Sequence, residues 1–104
     1  NMLFGKKKNK ARSPSAELIL SRHGREIQYM TRRGATAADE TIIGKDGVIN
    51  IVENELVISC GNDIVFRAPI DALQAYELMN LSGINLVFNG ISYVAYYTKG
   101  IENK

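Results

Sequence analysis

Between Gly47 and Ala68 the chain reads GVINIVENELVISCGNDIVFRA, three apolar runs separated by Glu53-Asn54 and by Gly61-Asn62-Asp63. Asn, Asp and Gly tolerate the positive φ of tight hairpin turns, so the stretch predicts a three-stranded meander. Strand side chains alternate between faces, and this fixes the pairing. A two-residue loop at Glu53-Asn54 sets Ile51 opposite Leu56 and Ile49 opposite Ile58. A three-residue loop at Gly61–Asp63 sets Cys60 opposite Ile64 and Ile58 opposite Phe66. One face then carries Ile49, Ile51, Leu56, Ile58, Cys60, Ile64 and Phe66, and reads as core. The other carries Val48, Asn50, Val52, Val57, Ser59, Val65 and Arg67. Four valines are many for a wet face, so a cover for it is expected.

The second clear pattern runs from Ile84 to Thr98 around Asn89-Gly90, the strongest hairpin signal in the chain. It pairs Phe88 with Ile91, Leu86 with Tyr93 and Ile84 with Ala95. Ile84, Leu86, Phe88, Ile91, Tyr93, Ala95 and Tyr97 form a core face. Asn85, Val87, Ser92, Val94, Tyr96 and Thr98 form its reverse.

Between these hairpins, Asp71 and Gln74 have capping-box spacing, followed by Leu73, Tyr76, Leu78 and Met79 and then by Gly83. This predicts a short helix over Asp71–Asn80. Upstream, Glu17–Arg32 carries two patterns. As a helix it aligns Ile19, His23, Ile27 and Met30; as a hairpin it turns at His23-Gly24, with Leu20 facing Ile27 and Leu18 facing Tyr29. Glycine in a helix centre costs about 1 kcal/mol, and the run from Ile27 to Thr31 suits a strand, which favours the hairpin. Gly34–Glu40 reads as a loop, Thr41–Ile43 as a short strand and Lys45-Asp46-Gly47 as a turn. The fold expected is mainly β (α+β): seven to eight mostly antiparallel strands as a sandwich or partly open barrel, with one short helix between strands six and seven. Residues 14–104 form that single domain, behind a flexible basic segment at 1–13.

Charge changes this picture at one end. The chain of 104 residues has a net charge of +2, but residues 1–33 hold nine basic groups against two acidic ones, a net +7. Residues 34–104 hold four against nine, a net −5. Arg22, His23, Arg25, Arg32 and Arg33 are therefore candidates for binding an anion, either nucleic acid or an acidic membrane surface. Tyr93, Tyr96 and Tyr97 add rings of the kind on which bases stack, although Tyr93 and Tyr97 fall on the core face. The ordinary account of the basic start is a solubilising tail.

Composition narrows the chemistry further. No apolar run is long enough to cross a membrane as a helix, and no apolar stretch follows the basic start as in a secretory signal. One cysteine makes no internal disulfide, which suits a reducing cytoplasm. One Cys and one His are too few for zinc, and Asp39, Glu40 and Asp46 lack the repeat of a calcium loop. His23 has no nucleophile motif beside it, and Cys60 on the core face reads as a small hydrophobe. No metal, cofactor or catalytic group is expected. The function expected is a non-enzymatic binding or assembly module acting through protein contact, with self or another protein, for which Val87, Val94 and Tyr96 are the candidate residues. The alternative is the anion-binding module.

Overall fold

The computed structural model describes residues 13–34 and 39–98. The expected basic segment therefore lies outside the described residues except for Ser13, and the loop at 35–38 and the polar end at 99–104 lie outside them too. A helix α1 (Pro14–Leu20) precedes seven strands: β1 (Glu26–Arg33), β2 (Glu40–Val52), β3 (Glu55–Cys60), β4 (Asp63–Pro69), β5 (Gln74–Glu77), β6 (Gly83–Phe88) and β7 (Ile91–Tyr97). All pair antiparallel in one sheet of order β4-β3-β2-β1-β7-β6-β5.

The order dictates the shape. β4 and β5 stand at opposite edges, yet only residues 70–73 join them. So few residues reach little more than ~14 Å at full extension, so the two edges must approach one another. The sheet curls into a half-barrel, and α1 packs against β5. The concave side is filled by Ile19 of α1 with Ile27, Met30, Ile49, Leu56, Ile58, Phe66, Ile84, Leu86 and Ala95, all buried. Phe66 of the β4 edge meets Phe88 and Tyr93 from the far side, with ring centroids 6.1 and 4.8 Å apart.

Several expectations hold. Ile51 opposes Leu56 and Ile49 opposes Ile58, across a turn in which Glu53 and Asn54 both have positive φ. Phe88 opposes Ile91, Leu86 opposes Tyr93 and Ile84 opposes Ala95, across Asn89-Gly90.

Others are corrected. The helix is not between strands six and seven but before β1. Residues 70–72 form one 3-10 turn, and Gln74–Glu77 is a strand. Its burial alternates, with Leu73 and Ala75 buried and Gln74 and Tyr76 exposed, which is the period of a strand and not of a helix. The hairpin at His23-Gly24 is absent. Ser13 accepts the Ala16 N–H at 3.1 Å and Pro14 fills the first helical position, so a helix starts there instead. Leu18 and Leu20 reach the core from this helix. Gly24, at φ +85°, ends the following turn.

Thr41–Ile43 and the run after Gly47 are one strand of 13 residues, β2, in which Asp46 takes φ +57° and the chain does not turn back. The loop after β3 has two residues, not three. Cys60 opposes Asp63 and Ser59 opposes Ile64. A bulge then restores Ile58 opposite Phe66, and Ile64 leaves the core for solvent. Cys60 is half-buried, and its sulfur occupies the space that a Cβ at Gly44 or Gly47 would take. Burial pushes its thiol pKa up, and Asp46 and Asp63 add to this.

Candidate interaction face

No water-sized space remains among Ile19, Arg22, Ile49, Leu56, Ile58, Ile84 and Leu86. No group of three or more His, Cys, Asp or Glu that could hold a metal occurs among the described residues, and no helix there is long and apolar enough to cross a membrane.

Three of the five candidate anion-binding side chains are engaged within the fold. Arg22 forms an ion pair with Glu77 and donates to the Tyr97 hydroxyl at 2.7 Å. Burial pulls its pKa down, but Tyr97 and Glu77 outweigh this and hold it above its ordinary value. The Arg25 guanidinium lies 4.0 Å from the centre of the Tyr97 ring, within cation–π range. His23 accepts the Ile51 N–H at Nδ1, 2.8 Å away, so its other ring nitrogen carries the proton in the neutral form. Beside it, Gly24 donates to the Ile49 carbonyl and Ile49 donates to that of Arg25. These residues seal the part of β2 that extends beyond β1. Arg32 and Arg33, by contrast, are exposed. With Gly34, Gly90, Ile91 and Ser92 they line an open groove of about 440 Å³.

The candidate contact residues share one outward face. The register places Gln74 beside Val87 and Ser92, and Tyr76 beside Asn85, Val94 and Thr31. Gly83, Tyr96 and Tyr29 form the next row. Val87 and Tyr96 are half-buried, while Val94 is 0% exposed. Val94 therefore supports this face from beneath and offers no contact surface of its own. Tyr96 stacks against Tyr29 with centroids 4.7 Å apart and an interplanar angle of 33°. Its hydroxyl donates to Glu40 at 3.1 Å, and Thr31 donates to the same carboxylate at 2.5 Å. Burial raises the Tyr96 pKa, and the bond to Glu40 raises it further. The Thr31 hydroxyl does most to hold Glu40 below its ordinary value; burial opposes it, and the Tyr96 hydroxyl and the charge of Arg33 add to the lowering.

Past β5 the chain also exposes residues that the sequence pattern assigned to a helix. Tyr76 is 53% exposed, Leu81 69% and Met79 fully exposed. The alternation from Leu73 to Glu77 is the signal that places Tyr76 outward. Nothing local in the sequence marks Leu81, whose φ is +62°.

No protein-family model, curated protein or solved structure matches the chain.

Proposed function

We propose that this chain is a small non-enzymatic binding or assembly module that acts through protein–protein contact. The contact surface is the outward face of β5, β6 and β7 with the adjoining part of β1. One observation carries this reading. From Gln74 across to Tyr29 and Thr31 the outward rows carry three tyrosines, and the charges of Glu40 and Arg33 meet at the Tyr96 hydroxyl at their margin. Protein interfaces are depleted in charge and enriched in tyrosine, whose ring gives apolar area while its hydroxyl stays hydrated.

The test is a photo-crosslinking phenylalanine analogue placed at Tyr76 and, as a control, at exposed Asp71 in the full chain, followed by irradiation in the source cells. Discrete protein adducts at position 76 and none at 71 are expected. Equal labelling at both positions, or none at 76, would sink the reading.

A second reading has its own observation: Arg32 and Arg33 both line the open groove beside Gly90 and Ser92. In this reading the module holds a phosphate-bearing polymer or an acidic membrane surface there. Heparin or oligonucleotide retention that falls with salt, and falls again in the Arg32→Ala/Arg33→Ala variant, supports it. Retention unchanged by the two substitutions removes it.

A further inference from the structure

The outer edge of β5 is closed by a helix, through a side chain. The Ser15 hydroxyl accepts the Ala75 N–H at 2.9 Å and donates to the Ala75 carbonyl at 3.5 Å. Two such bonds are what a residue on a neighbouring antiparallel strand exchanges with the residue opposite it. A single hydroxyl of α1 therefore sits where the backbone of a further strand would sit. Whatever replaces α1 must satisfy the same two backbone groups, and the backbone of an extended chain does so residue for residue.

The cover is lightly held. α1 has seven residues, and a helix so short is not stable away from the surface it packs on. It lies against β5 and the 3-10 turn at residues 70–72. Ala16 and Ile19 are its buried residues, while Leu18 and Leu20 are only partly buried. Arg22, just past its end, adds the ion pair with Glu77. The seven strands pair with one another without it. Short elements docked at the margin of a sheet open at a lower free energy than its central strands. The place that Ile19 would leave is lined by Ile49, Leu56, Ile58, Ile84 and Leu86.

We infer that α1 is a displaceable strap, and that the partner of this module is an extended segment of another protein that takes its place and pairs antiparallel with β5. The segment's backbone meets the N–H and carbonyl of Ala75, and one of its apolar side chains fills the place of Ile19. Main-chain bonds then supply affinity, and the alternate side chains supply selectivity. Gln74 and Tyr76, on either side of Ala75, are exposed on the outward face, so the added strand widens that face by one row. The inference rests on the contact face proposed above and names the kind of partner that reaches it. The closed strap keeps the same edge from indiscriminate pairing until such a segment arrives.

The experiment is native-state hydrogen exchange of the full chain, with and without a short capped peptide of alternating valine and threonine as the probe strand. In the natural chain the Ala75 amide should exchange at least about ten-fold faster than the amides of central strand β1. Ser13 is exposed and caps α1, so Ser13→Ala should speed exchange at Ala75 about five-fold, while Ser13→Asp keeps an acceptor there and leaves it near the natural rate. The peptide should slow exchange at Ala75 and bind Ser13→Ala about five-fold more tightly, because more of that variant stands open. An Ala75 amide that exchanges only in step with β1 overturns the strap. A peptide that leaves Ala75 unprotected, or binds the natural chain and Ser13→Ala equally, overturns the strand addition. If position 76 still crosslinks to a protein in that case, the contact face stands and the strap does not. If the peptide behaves as expected while position 76 gives no adduct, the β5 edge is the binding site and the outward face is not.

Discussion

Glu40 shows how one side chain links a strand end to the face beside it. Its carboxylate accepts from Thr31 on the neighbouring strand and from Tyr96 one strand further on. Both bonds favour the ionised form, so its folded pKa lies below the ordinary value. A lowered folded pKa adds stability above the unfolded carboxylate range, and that stability is lost as pH falls through the folded value. Glu40→Gln should therefore be less stable than the natural chain near pH 7, and the gap should close as pH falls through the lowered folded pKa of Glu40. Urea unfolding across that range checks this, and a gap independent of pH would show that the carboxylate charge contributes nothing. Arg22 teaches the converse lesson. In the sequence it belongs to a basic cluster that suggests an anion site, whereas in the fold Glu77 and the Tyr97 hydroxyl occupy its guanidinium. A side chain's charge is local, but its partner comes from 55 residues away in the chain.

At the level of elements, the two strand edges are treated differently. The β5 edge is covered by α1, where the Ser15 hydroxyl accepts the Ala75 N–H at 2.9 Å and donates to the same residue's carbonyl at 3.5 Å. One serine thus stands in for a missing strand, and the β5 edge is protected from pairing with another chain. Ser15→Ala should cost about 1 kcal/mol, because the Ala75 N–H loses its acceptor while the helix keeps its Ser13 cap. The Ala75 amide should also exchange with solvent faster. Unchanged exchange there would mean that the helix, rather than the hydroxyl, protects the edge. At the other edge, β4 carries a bulge, the Arg67–Glu55 ion pair and Pro69, which are common ways of discouraging edge-to-edge association.

At the level of the whole molecule, closure depends on residues that meet across the interior. Phe66 lies on β4, the sheet's first edge, and touches Phe88 and Tyr93 from β6 and β7. It is the point at which the curl becomes a core. Phe66→Ala should cost about 3–5 kcal/mol, and combining it with Phe88→Ala should cost less than the two single losses together. Denaturant unfolding of the four proteins gives the coupling directly, and strict additivity would place the two rings in independent parts of the core. The same closure leaves no water-sized space among Ile19, Ile49, Leu56, Ile58, Ile84 and Leu86.

The sequence by itself determined the hairpins at Glu53-Asn54 and Asn89-Gly90 and the mainly β, antiparallel character of the chain. Turn residues and a period of two are local, and a register that buries one face has few rivals. It also determined that Val87 and Tyr96 turn away from the core. Only the tertiary structure decided the rest. The edge of β5 needed a cover, and Ser13-Pro14 allowed a helix to form there although Gly24 and the following run favoured a hairpin. A bulge displaced Ile64 while keeping Phe66 inward, since bulges are set by packing across strands. The fate of Arg22, His23 and Arg25 as internal partners, the burial of Val94 and the exposure of Met79 and Leu81 all depend on how far the sheet curls. That curl follows from linking β4 to β5 through residues 70–73, which draws together opposite edges of the sheet whose places are set by pairings across the whole chain.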